Sequence, residues 1–381
     1  MHIVVIPSWY TDSYNKLRGI FFKEQAEALL SSSKVDKVGV VTTNDIGLKS
    51  IIDKKELKFG LFKYRQNGVN NYVYQIPDIL RNKRLNDAVK LYLFKRVFRK
   101  YIKEHGLPDI VHLHSFYNGL MAKWIKKEYN IAYVTTEHAS NFLTNSLDSY
   151  DIKKASSVFN ESSLNIAVSQ NLADILQVSF KKEFAYIPNF VVVPKIKPKT
   201  KFKKFTFVNV GFLTANKNQK LLIKSFYKAF KNKEAQLIII GDGKEYNSLK
   251  SLIKELNLEQ QVMLYGKLDR EKVFEVLNSS HVYLHASLFE TFGIAIIEAL
   301  SCGLPVISTK SGGPEGIITN SRVGKLINAD ENELQEAMIE LFNNYSSYNA
   351  NSIKEFYLKN FSKEVVVKKI VNNYCKVLNR G

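Results

Sequence analysis

Glu290 and Glu298 stand with seven residues between them in E-T-F-G-I-A-I-I-E, and no other stretch of the sequence carries as much chemistry. Gly293 supplies a turn inside that interval, and residues 295–301 read as a helix. A carboxylate just before a helix and a second one on it can hold two different hydroxyl-bearing groups. Between them lies the positive end of the helix, whose backbone N–H groups around Phe292, Gly293 and Ile294 favour phosphate. Five residues of helix advance about 8 Å, roughly the span of a diphosphate. One glutamate is therefore placed for a sugar and the other for a ribose, with a diphosphate between them, as a nucleotide-sugar site requires.

A cation for that phosphate lies upstream, in V-G-F-L-T-A-N-K-N-Q. Gly211 ends a strand, Asn216 is placed as an N-cap and Lys217 as the start of the next helix. A lysine there opposes the helix dipole unless an anion sits between them. Gly241-Asp242-Gly243 also follows a strand, but Tyr246 stands where a dinucleotide fingerprint has its third glycine, which disfavours a dinucleotide cofactor.

In the first half, His112 and His114 flank Leu113 at a strand end. Alternation puts both on one face of the sheet, and the carboxyl end of such a strand opens into the crevice. His114 is the cleft-lining candidate and His112 the structural one; a zinc pair finds no third ligand at suitable spacing. Glu137-His138 repeats that geometry one strand on. His138 either serves a sugar hydroxyl or a proton transfer, or is satisfied by backbone. Gly19 precedes a helix, either as a turn glycine or as a point of close phosphate approach, with Arg18 adding a charge. Gly312-Gly313-Pro314-Glu315 reads as turn chemistry.

The stretch from Glu290 to Glu315 closely resembles the signature of family 4 of the retaining glycosyltransferases. The block Gly19-Ile20-Phe21-Phe22-Lys23-Glu24-Gln25 resembles the donor-facing loop of bacterial surface-polysaccharide members. The resemblance implies the GT-B fold, an α/β architecture of two Rossmann-like domains whose parallel sheets face across a cleft. It implies transfer of a sugar from a nucleoside diphosphate sugar, a UDP-sugar foremost, to a hydroxyl of a saccharide acceptor. That acceptor would be lipid-linked, in capsule or O-antigen synthesis. On this resemblance Glu298 holds the ribose, Glu290 and His138 orient the sugar, and Lys217 with the N–H groups of 292–294 binds the diphosphate. Gly19 and Gly211 border the donor, and Lys267 and Leu268, after Gly266, meet the base through their backbone. No cofactor and no metal are implied, because lysine and helix dipoles replace the divalent ion, and no D-x-D motif stands out. Relatives commonly carry arginine where Phe212 stands, which leaves Lys217 as the main cation for the phosphates. Two alternatives are a nucleotide-sugar epimerase of the same fold and a basic nucleic-acid-binding protein. Against the latter, no zinc finger, basic zipper or RNP-like aromatic segment is found.

Short β-runs and helical stretches alternate along all 381 residues, the pattern of an α/β protein long enough for two domains. In the first half strands are expected near 2–6, 38–42, 109–113, 132–135 and 164–167, with helices at 20–30, 85–104, 119–128 and 171–177. The second series has strands near 205–210, 236–240, 262–265, 282–285 and 306–308, with helices at 218–230, 245–256, 270–277 and 294–301. Lysine-rich residues 195–204 read as a linker between a domain of 1–194 and one of 205–360. By resemblance, a helix within 361–381 packs back on the first domain.

Hydrophobic content of 45% and charged content of 24% suit a soluble enzyme. No apolar run reaches the ~20 residues that span a bilayer. The start reads as a strand rather than a leader, and two distant cysteines suggest no disulfide, so a cytoplasmic location is expected. The formal charge of +19 reflects either a lysine-rich proteome or a polyanionic partner. Residues 80–104 concentrate it, with Arg81, Lys83, Arg84, Lys90, Lys95, Arg96, Arg99, Lys100 and Lys103 against Asp87 and Glu104. Such a basic amphipathic helix can lie on anionic lipid or cover its own domain. The expectation is a peripheral protein on the inner face of the cell membrane, with no nucleic-acid partner.

Overall fold

The computed structural model describes residues 1–11, 18–47, 58–78, 80, 82–196 and 199–379. Residues 12–17 of the N-terminal loop, Arg81 of the basic stretch, Lys197 and Pro198 of the expected linker, and 380–381 of the tail lie outside the described residues. The chain divides into two compact units. One takes Met1–Val168, Ala173–Ile187 and the residues from Val366 onward; the other takes Ser169–Leu172 and Pro188–Val365.

The first unit is built on β1 (His2–Pro7), β2 (Lys37–Gly47), β3 (Gly60–Gln66), β4 (Val69–Asp78), β5 (Ile110–His114), β6 (Tyr133–Glu137), β7 (Leu164–Ala167) and β8 (Ala185–Tyr186). They form one sheet in the order β3-β4-β2-β1-β5-β6-β7-β8. Among the described residues only β3 and β4 pair antiparallel. Ile3–Ile6 and Val40–Val41 are fully buried, because a parallel sheet covered on both faces needs unbroken apolar runs. The hairpin turns at Asn67 (φ 48°) and Gly68 (φ 84°), the left-handed pair that an Asn-Gly turn accepts. The expected strands omit β3 and β4, since β3 is largely exposed and carries no apolar run.

Helices α1 (Ile20–Leu29), α2 (Lys83–His105), α3 (Gly119–Tyr129), α4 (Ser149–Glu161) and α5 (Gln170–Phe180) follow these strands. Helix α4 is absent from the expected elements. Its few apolar residues, Ala155, Val158 and Phe159, are buried, and Asp148 caps it by accepting from the Asp151 N–H at 2.9 Å.

The second unit carries β9 (Phe205–Val210), β10 (Ala235–Ile240), β11 (Val262–Gly266), β12 (Val282–His285), β13 (Val306–Thr309) and β14 (Gly324–Ile327), all parallel, in the order β11-β10-β9-β12-β13-β14. Its helices are α6 (Gln219–Phe230), α7 (Tyr246–Glu255), α8 (Arg270–Ser279), α9 (Ile294–Ser301), α10 (Glu331–Asn343) and α11 (Ala350–Phe361). Phe207, Leu222, Phe226, Leu237, Leu284 and Met338 anchor the core between sheet and helices. Strand order reverses between β9 and β12, and at such a switch point the loops leaving the carboxyl ends open a crevice.

The last helix, α12 (Lys363–Leu378), buries Val366, Ile370 and Tyr374. The Tyr374 hydroxyl lies 2.6 Å from His112 Nδ1, so the final helix completes the core beneath β5 of the first unit. Among the described residues no helix is long and apolar enough to cross a membrane.

Gly241 (φ 149°) lets the ends of β9 and β10 meet, and a Cβ there would lie 1.8 Å from the Gly211 carbonyl oxygen. Gly241→Ala is expected to cost at least about 2 kcal/mol of stability, read as a lower urea midpoint. An unchanged midpoint would contradict this packing.

Candidate active site

In the second unit the loops after β9 and β12 bring Lys217 Nζ to 2.5 Å from Glu290 Oε2. Lys217 does not begin a helix as expected. It ends a short 3-10 turn, Ala215–Lys217, and Asn218 (φ 50°) takes the N-cap position of α6. Asn216, expected as that cap, has another task. Its side-chain amide donates to the Phe289 carbonyl at 3.0 Å and accepts from the Phe289 N–H at 3.1 Å, while its own carbonyl accepts from the Leu288 N–H at 2.8 Å. These three bonds fasten one loop to the other and so hold Glu290 against Lys217.

The other side of Glu290 is fixed by backbone. Its N–H donates to the Ser311 carbonyl at 2.8 Å, and its carbonyl accepts from the Gly313 N–H at 2.7 Å. Only glycine fits at 313, where a Cβ would stand 2.4 Å from the Phe292 carbonyl oxygen. Glu315 holds the turn by accepting from the N–H groups of Ser311 and Gly312 at 3.2 and 2.9 Å. Burial pushes the Glu290 carboxyl up, but the Lys217 charge, His285 and hydrogen bonds from Lys217 and the Phe292 N–H bring it below its ordinary value. His285 Nε2 lies 3.7 Å from Glu290 Oε2; burial lowers its pKa to about 4, so the ring is neutral near pH 7.

Gly293 (φ 106°) caps α9; the Ile296 N–H turns back to the Gly293 carbonyl at 2.9 Å, and the N–H groups of Ile294 and Ala295 before it have no intrahelical acceptor. Glu298 follows on the helix, with Oε1 3.8 Å from Arg270 Nη2. Glu290 and Glu298 each keep 16% of the side chain exposed, so both remain reachable by a ligand. Gly211 donates to the Ile240 carbonyl and Gly241 to that of Gly266, which levels the ends of β9, β10 and β11. Beyond β11, Lys267 is exposed and Leu268 half-buried. The Phe212 ring is 67% exposed.

In the first unit the ends of β5 and β6 bring His114 Nδ1 to 3.0 Å from His138 Nε2. Both rings are buried, and burial takes the His138 pKa to about 3, so His138 is a neutral hydrogen-bonding group rather than a cation. Phe21 and Phe22, at the start of α1, lie 5.2 and 5.1 Å from the His138 ring. His112, expected as structural, uses both ring nitrogens, one with Tyr374 and the other with Thr136 Oγ1 at 2.7 Å. Glu137 accepts from Ser115 Oγ and from the N–H groups of Phe116, His138 and Ala139, at 2.6 to 3.1 Å. It is the brace of the cluster. Gly19 (φ 67°) caps α1, and a Cβ there would lie 2.7 Å from the Trp9 carbonyl oxygen, which is the physical reason for the turn glycine. Arg18 donates to the Asp45 carbonyl.

The expected residues thus fall into two groups, Lys217, Glu290, Gly293 and Glu298 in one unit and Gly19, His114 and His138 in the other. Sequence reasoning missed His285 and Arg270; it named Asn216 only as a cap and Phe21 and Phe22 only as part of a donor-facing loop. The strand-end argument used for His114 applies equally to His285. Arg270 carries no local signal, since only the sheet order brings it to Glu298. Among the described residues no three His, Cys, Asp or Glu side chains are grouped to hold a metal ion.

Residues 193–355 match the family described as Glycosyl transferases group 1, and residues 60–193 match Glycosyltransferase Family 4. A probable sucrose-phosphate synthase of Thermosipho melanesiensis is 26% identical over 370 residues, covering 88% of this chain and 85% of that protein. The phosphatidylinositol N-acetylglucosaminyltransferase GPI3 subunit of Saccharomyces cerevisiae is 32% identical over 228 residues, covering 56% of this chain and 45% of that protein. The chain therefore spans less than half the length of that yeast relative. Among solved structures, Anabaena HepE in complex with UDP superposes with a TM-score of 0.74 at 16% identity, over 99% of this chain and 100% of that one. The fold is GT-B, two Rossmann-like halves with parallel sheets. The chain is a glycosyltransferase of that fold, similar to Glycosyltransferase Family 4 over residues 60–193 and to Glycosyl transferases group 1 over residues 193–355.

Because the folded-state carboxyl of Glu290 sits below its ordinary value, the Lys217 pair contributes stability above that value and loses it as pH falls. Lys217→Met raises the Glu290 carboxyl, so the stability gap between wild type and variant is expected to narrow from about pH 5 to about pH 3. Urea unfolding across that range checks the sign; a gap that widens on acidification would contradict the pairing.

Proposed function

We propose that the chain transfers a sugar, with retention of configuration, from a UDP-sugar to a hydroxyl of a lipid-linked saccharide in surface-polysaccharide synthesis. The observation that carries this reading is the grouping of Lys217, Glu290 and the N-terminus of α9 at the switch point of the second sheet. In it, Lys217 and the N–H groups of Gly293 and Ile294 stabilise the negative charge that grows on the diphosphate as the glycosidic bond breaks, while the Phe292 N–H, expected to join them, is engaged by Glu290. Glu290 accepts from hydroxyls of the transferred sugar, and Glu298, steadied by Arg270, accepts from the ribose hydroxyls. Lys267 and Leu268 present backbone to the base. His138 meets the sugar as a neutral partner, its ring fixed by His114 and by the Glu137 brace.

The UDP-bound structure of Anabaena HepE supports the choice of donor base. The yeast relative, named for phosphatidylinositol, supports a lipid-borne acceptor. With Lys217 and the helix end at the diphosphate, the reading needs no divalent ion.

Turnover of a panel of nucleotide sugars, read as released nucleotide diphosphate, tests the reaction. Lys217→Ala is expected to lower kcat by about 100-fold, and excess EDTA to leave wild-type turnover unchanged. Activity abolished by EDTA and restored by magnesium would overturn the metal-independent mechanism. A new nucleotide sugar formed from donor alone would point to epimerisation instead.

Helix α2 supports the membrane part of the proposal, with a smaller cationic face than the sequence suggested. Lys90 is buried against Asp45 at 2.8 Å, Lys83 pairs with Asp148 and Asp151, and Arg99 lies 3.6 Å from Glu128. Exposed along α2 are Lys83, Arg84, Leu85, Ala88, Tyr92, Arg96, Arg99, Lys100, Lys103 and Glu104, with Leu85 52% and Tyr92 57% exposed. Apolar tips among cations suit an anionic lipid surface. Flotation with vesicles is expected to recover the protein with anionic lipid, and Arg96→Glu with Arg99→Glu to reduce recovery several-fold. Equal recovery with neutral and anionic vesicles would refute the electrostatic attraction.

A further inference from the structure

The first unit contains a cavity of about 540 Å³ between the end of β1 and the starts of α2 and α4, a size common among small-ligand sites. Its walls carry four cations, Arg18, Lys83, Lys90 and Lys154, and three carboxylates, Asp45, Asp87 and Asp151. We propose that this cavity is the acceptor subsite, and that the unit it takes is an uncharged, hydroxyl-rich sugar ring rather than a phosphate or a carboxylate. The proposal rests on the glycosyltransferase reading and names the substrate class of its acceptor side.

Charge pairing is the first argument. Each ammonium group is already matched: Lys90 with Asp45 at 2.8 Å, Lys154 with Asp87 at 2.8 Å and Asp151 at 3.8 Å, and Lys83 with Asp151 at 2.5 Å and Asp148 at 2.7 Å. The Tyr150 hydroxyl adds a hydrogen bond to Asp87 at 2.7 Å. Lys90, Asp151 and Lys154 are buried, so these pairs are poorly screened. An entering anion would have to draw a lysine from its carboxylate and then stand beside three aspartates. A hydroxyl accepts from an ammonium and donates to a carboxylate at once, and joins the network without altering its charge.

Hydrogen-bond inventory is the second. Asp45 holds Lys90 through Oδ2 and keeps 22% of its side chain exposed on the cavity wall, so its carboxylate has room for a further donor. A sugar hydroxyl supplies that donor, and an ionised phosphate group does not. Shape is the third. Trp9 and Tyr117, with ring centroids 6.4 Å apart, line the same cavity and offer aromatic surface to the C–H face of a sugar. Trp9 also packs on Phe22 at 5.2 Å, and Phe22 on His138 at 5.1 Å, so the cavity wall is continuous with the histidine cluster.

Saturation-transfer NMR with methyl glycosides of glucose, galactose and N-acetylglucosamine as probes, against glucose 6-phosphate and glucuronic acid, tests the proposal on the full chain. At least one neutral glycoside is expected to bind wild type, with the anionic probes at least about tenfold weaker. Asp45→Asn is expected to weaken the neutral probe about tenfold. Ser146→Trp, at an exposed position on the cavity rim, fills the entrance without touching the buried ion pairs and is expected to do the same. UDP is expected to raise the melting temperature equally in wild type and both variants. Tighter binding of an anionic probe, no neutral binding up to about 50 mM, or neutral binding unchanged in Ser146→Trp would each overturn the assignment. A wild type whose melting temperature no uridine nucleotide shifts would instead refute the donor reading, whatever the cavity binds.

Discussion

Parallel sheets deliver all their strands' carboxyl ends to one edge, where the departing loops expose backbone N–H groups that the sheet no longer satisfies. Carboxylates meet that demand here. Glu137 at the end of β6 accepts four donors, and through them fixes Ser115, Phe116 and the peptide that carries His138. Glu315 closes the turn after β13 in the same way. Glu290, beyond β12, is the contrast. Its backbone is tied into the β13 loop by its own N–H and carbonyl, and its side chain is thereby left for Lys217. Two glutamates at comparable strand ends thus have opposite tasks, one engaged by backbone and one presented as charge.

Much of this was legible in the sequence, for identifiable reasons. The buried parallel strands announce themselves as apolar runs, and the helix after Gly293 was read to within one residue at its start, because Gly293 supplies the turn before it. The β3–β4 hairpin was missed although Asn67-Gly68 is a strong hairpin signal, because β3 is a solvent-facing edge strand without an apolar face. Asn216 and Lys217 were misplaced by two residues. The asparagine that takes the left-handed cap is Asn218, and nothing local distinguishes two asparagines flanking a lysine. Strand alternation put His112 and His114 on one face, and their rings lie 4.1 Å apart, but His114 is fully buried rather than lining a cleft, and its bond to His138 depends on the register of β5 with β6. Arg270 and the Lys90–Asp45 pair are products of tertiary structure alone.

The basic composition also has a different meaning once the pairs are located. Lys90 and Lys154 belong to the first unit's interior electrostatics, and with the exposed Lys83 they neutralise Asp45, Asp87 and Asp151 around a cavity. Lys217 plays that part beside Glu290. A count of charges by sequence window gives these the same weight as Arg96 or Lys103, which face water. Net charge therefore overstates the cationic surface of α2 while leaving its apolar tips, Leu85 and Tyr92, unmentioned.

The hydroxyl of Tyr374 on His112 sets an order of events during synthesis. The first unit begins at Met1 but takes in the residues from Val366 onward, whereas the second is complete by Val365. Chains made from the amino end usually finish their first domain first. Here the core under β5 stays open until the last helix has left the ribosome, so the unit begun first is the one completed last, and a chain truncated before α12 would carry one finished unit and one exposed sheet.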